Sequence, residues 1–137
     1  MSDEELAALL TSVNTIAVVG ISDRSDRPSY GVAKYLQRYF RVVPVNPHLA
    51  NWEGLACYPS VGDIPNGDEV DLVNIFRRPI DVPPIVDAAI LRGVRAIWMQ
   101  LGIKHADAAQ RAVNAGIAVV MDRCIAVEYR RLLRSNS

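Results

Sequence analysis

Cysteine and histidine are scarce: the 137 residues hold two of each, Cys57, Cys124, His48 and His105. The thiols form no CxxC pair, and with so few histidines no zinc-ligand spacing arises. A disulfide framework of the kind used by small secreted domains is likewise missing. Charge of one sign is not in excess either. Fifteen Lys and Arg balance fifteen Asp and Glu, for a formal net charge of zero. That leaves no broad cationic field to draw in DNA, RNA or an anionic membrane. Aromatic residues make up 7% of the chain, too few to build a nucleic-acid stacking platform around the lone loop residue Trp52. Apolar runs extend for only a few residues, against roughly 20 for a membrane-spanning helix. The acidic start Met1-Ser2-Asp3-Glu4-Glu5 carries no signal-peptide pattern. The expectation is a cytoplasmic protein with reduced thiols, free of nucleic acid and membrane.

What is present is an alternation. Short β-branched runs occur at Thr15–Val19, Arg41–Val45, Val70–Phe76, Arg95–Met99 and Ile117–Met121. Continuous apolar runs of this length suit parallel strands covered on both faces. Helical patterns lie between them. Val32, Tyr35, Leu36 and Tyr39 fall at i, i+3, i+4 and i+7; Val82, Ile85, Val86, Ala89 and Ile90 repeat that spacing before Gly93. Ala109, Ala112 and Val113 form a third pattern, opened by His105 and closed by Gly116. Asp3 to Leu10 and Ile125 to Leu133 read as a leading and a closing helix. Ser60 to Pro65 reads as a short helical turn. The expected fold is α/β: one Rossmann-like domain over 1–137, doubly wound, with a five-stranded parallel sheet in order 3-2-1-4-5.

In such a sheet ligands lie beyond the carboxyl ends of the strands, at the switch point, expected here between strands one and four. The first loop, Gly20 to Gly31, is the most informative. Gly20 permits a sharp exit and a close ligand approach. Pro28-Ser29 reads as a helix start with Ser29 as N-cap. Free N–H groups at Ser29, Tyr30 and Gly31 would then make an anion site suited to a pyrophosphate, with Arg24 and Arg27 adding charge. The loop is not GxGxxG, and Asn46-Pro47-His48 stands where an NAD enzyme places an acidic residue. Both departures weigh against NAD.

These residues resemble the small single-domain CoA-binding proteins, relatives of the CoA-binding domain in the α subunit of succinyl-CoA synthetase. The likeness spans nearly the whole chain. It rests on Ala17–Ser22 with Pro28–Val32, Val43–Pro47, Gly54, Cys57–Val61, Asp63–Pro65, Val70–Arg77, Trp98–Ile103 and Asp122–Ile125 with Glu128. The resemblance implies coenzyme A, or an acyl-CoA, extended across the strand ends. It places the pyrophosphate on Ser22 and on the helix start near Ser29, Tyr30 and Gly31, with Gly20 and Ile21 also among the binding residues. The adenosine end would reach Asn46 and Pro47. The pantetheine arm would run past Phe76, Arg77, Val82, Trp98, Met99 and Gln100. The family often carries Lys after the Asn-Pro pair; here His48 stands there. Arg24, Arg27 or Lys34 would then read the ribose 3′-phosphate.

The remaining residues read as structural. Cys57 and Cys124 are expected to be inert, Trp98 to be core, and Asp122-Arg123 to be an ion pair. There is no GxSxG, Walker lysine or nucleophile–base–orienter set. A binding protein without catalysis follows, as carrier, sensor or regulatory subunit. Two readings stand beside it: a small NAD(P)-binding oxidoreductase, and a subunit that lends CoA to an acyl-CoA-metabolising partner. A homo-oligomer is left open.

Overall fold

Every apolar run becomes a strand, the first two at full length and the other three trimmed at their ends. The computed structural model describes residues 1–134. Its strands are β1 (Thr15–Val19), β2 (Arg41–Val45), β3 (Asn51–Trp52), β4 (Leu55–Ala56), β5 (Leu72–Ile75), β6 (Ala96–Met99) and β7 (Ala118–Val120). The helices are α1 (Asp3–Ser12), α2 (Pro28–Leu36), α3 (Val82–Arg92), α4 (Ala106–Asn114) and α5 (Ile125–Tyr129), the last running on into a π-helical turn at Arg130–Arg134. Among the described residues no helix is long and apolar enough to cross a membrane.

The main sheet is parallel and five-stranded, in order β2-β1-β5-β6-β7. Counted along the chain that is 2-1-3-4-5, not the expected 3-2-1-4-5. The third long strand pairs with β1, Ile16 against Leu72 and Val19 against Ile75, rather than with β2. The reason lies in the connection from β2 to β5. It carries no long helix, only the β3–β4 hairpin and a 3-10 turn at Val61–Asp63. Val61 and Ile64 bury themselves on the face opposite α2. Right-handed connections on opposite faces run in opposite directions across a sheet. The chain therefore crosses β1 and lands on its far side. The switch point lies between β1 and the third long strand, not the fourth.

Strand side chains alternate between two cores. Ile16, Val18, Leu72 and Trp98 face α1, α2 and α5 through Leu6, Leu10, Leu36 and Ile125. Ala17, Val19, Val73, Ile75 and Met99 face α3 and α4 through Val82, Val86, Ala108 and Ala112. All five residues of β1 are buried, which is why it reads as an unbroken apolar run. Val113, grouped with the third helical stripe, is instead 53% exposed.

The helix ends follow local chemistry. Ser2 and Glu5 form a reciprocal capping box at α1. Gly93 ends α3 at φ 77°, a left-handed conformation that glycine adopts without strain. His105 opens α4, its Nδ1 accepting the Ala108 N–H at 3.1 Å. Ser29 does not cap α2. Pro28 needs no N–H donor and takes the first helical position, which makes Arg27 the N-cap.

Candidate functional site

The loops after β1 and β5 meet at the carboxyl edge of the sheet. Gly20 has φ 86°, and a Cβ built there would run into the Phe76 carbonyl oxygen and lie 3.0 Å from Arg77 Cδ. Only glycine allows the two loops to approach so closely. On either side of this point lies a depression of about 310 Å³. One is bounded by Gly20, Ser22, Arg24, Arg27, Pro28, Ser29 and Phe76. The other is mostly apolar, with walls from Val19, Val45, Pro47, Pro59, Val61, Pro84, Ile85 and Ala88 and with Arg77, Asp81 and Ser60 as its polar members.

The first depression has a set framework. The Ser22 N–H donates to Ser29 Oγ at 3.1 Å, and Ser22 Oγ accepts the Arg24 N–H at 3.1 Å. The Ser22 carbonyl accepts the Trp52 indole N–H at 2.8 Å. With those acceptors used, both serine hydroxyls keep a hydrogen to donate. The Tyr30 and Gly31 N–H groups, expected to be free, both point at the Arg27 carbonyl, at 3.1 and 3.4 Å. Among the described residues the Ser29 N–H alone of the three has no protein acceptor. Arg24 pairs with Asp26 at 3.2 Å, while Arg27 takes part in no ion pair among the described residues. Arg77 and Arg78 share Asp81, at 3.4 and 3.2 Å. Donor hydroxyls, an N–H at a helix start and a guanidinium without an ion-pair partner among the described residues are the chemistry that can receive an anion.

The expected site residues divide into three groups. Gly20, Ser22, Arg24, Arg27, Ser29 and Phe76 share the polar depression, and Gly20, Pro47 and Arg77 the apolar one. His48 is exposed beside them, its N–H donating to Asn46 Oδ1 at 2.7 Å. Asn46 Nδ2 donates to the Ile21 carbonyl at 2.7 Å and ties the two loops together. A second group lies beneath the surface. Ile21, Val82, Trp98 and Met99 are fully buried, so their side chains pack the core and do not face a ligand. Gln100 is nearly so, its Oε1 accepting from Asn74 Nδ2 at 3.0 Å and from the Ile125 N–H at 2.9 Å. A third group points elsewhere. Tyr30 turns to the hairpin, its hydroxyl bonding Glu53 and its ring set edge-on to Trp52. Gly31 and Lys34 line a separate depression on the outer side of α2.

Trp52, read from the sequence as a loop residue, lies in β3, is 1% exposed and donates its indole N–H to the Ser22 carbonyl. Asp122 pairs with Lys104 at 3.8 Å, and Arg123 with Glu128 at 3.7 Å, instead of with each other. Cys57 is buried, and burial pushes its thiol pKa up. Cys124 is half-buried at the start of α5. Trp98 is core, and its indole N–H donates to the Arg123 carbonyl at 2.7 Å. The apolar wall from Pro59, Val61, Pro84 and Ile85 was not foreseen as site. Its only sequence signal was the Cys57–Val61 stretch within the family likeness.

Known proteins are similar to this chain in sequence and fold. The family model described as "CoA binding domain" matches residues 14–130. The uncharacterized protein YneT of Bacillus subtilis is 33% identical over 129 residues, covering 93% of this chain and 94% of that one. A hypothetical protein from Pyrococcus horikoshii has the same fold at TM-score 0.92 and 36% identity, covering 97% of this chain and 93% of that one. An ADP-forming acetate–CoA ligase of Methanocaldococcus jannaschii is 29% identical over 82 residues, which are 59% of this chain but 11% of the ligase. The shared stretch is thus a small part of a much larger enzyme. With 117 consecutive residues matched, from before β1 to the end of α5, the chain belongs to the CoA-binding domain family.

Proposed function

We propose that this protein binds coenzyme A or an acyl-CoA across the strand ends and performs no chemistry on it, acting as a carrier, sensor or regulatory subunit. The observation that carries this reading is the junction at Gly20, where an anion site adjoins a mostly apolar cavity. CoA is amphipathic in the same way, with a pyrophosphate joined to less polar arms. Ser22, Ser29 and Arg27 would hold the pyrophosphate. Asn46 and Pro47 would meet the adenosine end, and Phe76 and Arg77 the pantetheine arm. Family membership supports CoA in preference to NAD(P), as do the missing glycines of the first loop.

The absence of catalysis is supported by how the reactive side chains are used. His105 Nδ1 caps a helix, and the Cys57 thiol is held in its neutral form by burial. Chemistry on the acyl group would come from a partner enzyme that metabolises acyl-CoA.

Thermal unfolding with CoA, acetyl-CoA, dephospho-CoA, NAD and NADPH tests the ligand. A ligand at a hundred times its dissociation constant adds about 2.7 kcal/mol. For a domain of this size the midpoint should rise by roughly 5–15 °C with CoA and not with NAD. A smaller rise with dephospho-CoA shows that a cation reads the 3′-phosphate. Ser22→Ala should weaken CoA binding by about tenfold while leaving the unliganded midpoint in place, because Ser22 Oγ accepts only one exposed hydrogen bond. Stabilisation by NADPH alone overturns the CoA assignment. Release of free thiol from acetyl-CoA by the purified protein overturns the non-catalytic part.

A further inference from the structure

The outer side of α2 carries charge that extends beyond the strand-end cleft, with Arg27 at the border of the two. Arg27, Gly31, Lys34 and Arg38 follow at i, i+4, i+7 and i+11, the spacing that lays residues along one side of a helix. The turn continues past Leu36, since the Arg38 N–H still reaches the Tyr35 carbonyl at 3.1 Å. Arg130 comes in from the turn after α5. Gly31, Lys34, Tyr35, Gln37, Arg38 and Arg130 line one shallow depression of about 620 Å³.

No carboxylate lines it, and Lys34, Arg38 and Arg130 take part in none of the ion pairs among the described residues. Most cations elsewhere on the surface sit beside an acid. Here tyrosine takes that place. The Arg38 guanidinium lies 5.7 Å from the Tyr35 ring centre and 5.5 Å from that of Tyr39; Arg130 lies 5.0 Å from Tyr35. A guanidinium over a tyrosine face spends no N–H donor on a carboxylate, and its planar fork suits two-pronged carboxylate recognition.

We infer that this face docks an acidic segment of a partner protein. A rise of 1.5 Å per residue sets Arg27 and Arg38 roughly 16 Å apart, the reach of about five residues of extended peptide. Nucleic acid is the poorer fit, because the chain as a whole carries no net charge to draw in a polyanion. A membrane surface is poorer still, because the lining offers no aliphatic side chain to insert. Arg27 also borders the anion site, so the docked segment would lie next to the cleft. The inference stands on the α2 surface alone and does not depend on which ligand the cleft takes.

The test uses a fluorescent Glu-rich dodecapeptide as probe, with a twelve-nucleotide single-stranded DNA and phosphatidylglycerol-containing vesicles in parallel. The peptide should bind at physiological salt. The double variant Arg38→Glu/Arg130→Glu should weaken it on the order of tenfold or more, since two contacts become repulsive. Amide chemical shifts of the unaltered protein should move at Gly31, Lys34 and Tyr35 on peptide addition. That map decides the matter if the double variant fails to fold. Absence of peptide binding, equal binding by the double variant, shifts confined to other elements, or preference for the DNA or the vesicles each overturns the inference.

Discussion

Gly20 concentrates several requirements on one residue. Its φ of 86° lies where side chains are disfavoured, and its α-hydrogen faces the Phe76 carbonyl at the point where the loops of β1 and β5 touch. Gly20→Ala therefore meets both a backbone penalty and a clash with main chain that cannot rotate away. The expected loss is about 2 kcal/mol or more of unfolding free energy, read from urea denaturation, with the two depressions forced apart at their junction. Gly31→Ala is the control. Nothing lies within 4 Å of a Cβ there, and its φ is not left-handed, so stability should hold or rise slightly. A Gly20→Ala variant as stable as Gly31→Ala would mean that the loops move freely and that the junction is not built in. Gly20 was legible from the sequence as a strand-ending glycine. Ser29 reads from the sequence as the N-cap, a place that Arg27 takes instead. Its actual task, accepting the Ser22 N–H from inside the first turn, depends on Pro28 having taken the first helical position. Local cap rules could not rank those two residues without the path of the loop.

Among the elements, the crossover from β2 to β5 is held by one side chain of α3. Arg92 donates from Nη1 to the carbonyls of Val61 and Ile64, at 3.3 and 2.9 Å, and from Nη2 to those of Pro65 and Asp68, each at 2.7 Å. Four carbonyls of a segment without regular ladders thus find their donors in one planar fork. The same segment supplies Val61 to the wall of the apolar cavity. Arg92→Ala should lower stability by about 2–3 kcal/mol, discounted for the partial exposure of the head group. Arg92→Lys should recover less than half, because an ammonium cannot span four acceptors in one plane. Equal unfolding midpoints for the Lys variant and the unaltered protein would show that charge alone, not the fork, holds the crossover. The sequence offered no sign of this clamp: Arg92 sits at the end of a helical stripe, where a cation is already explained by the helix dipole. The β3–β4 hairpin was illegible for a different reason. Its strands have two residues each, too short for any period, and its value lies in carrying Trp52 to the Ser22 carbonyl. Strands β1, β2, β5 and β6 were legible because burial on both faces writes itself as short, mostly apolar runs, and the half-buried edge strand β7 because it too is Val-rich.

For the whole molecule, the fold class was readable and the strand order was not. Both 3-2-1-4-5 and 2-1-3-4-5 obey right-handed crossing; they differ in which face the β2–β5 connection covers. That choice rests on Val61 and Ile64 packing with α3, contacts between residues more than twenty apart in sequence. The two cores that result are separated by the sheet and meet different tests. Cys57 is 8% exposed in the core shared with α1, α2 and α5, its Sγ 3.7 Å from the Asn46 carbonyl and its pKa raised by burial. Cys124 is half-buried at the edge where β7 gives way to α5. A thiol reagent acts through the thiolate, so a raised pKa and burial both slow Cys57. In the native protein one thiol equivalent should react readily and the second only as fast as the molecule opens. Urea should accelerate the slow phase along the unfolding curve seen by circular dichroism, since the hairpin and β2 that enclose Cys57 belong to the cooperative core. Reaction of Cys57 well before that curve would show that the hairpin detaches by itself. Ser22 would then lose its Trp52 contact in the native ensemble, and the anion site would be formed only part of the time.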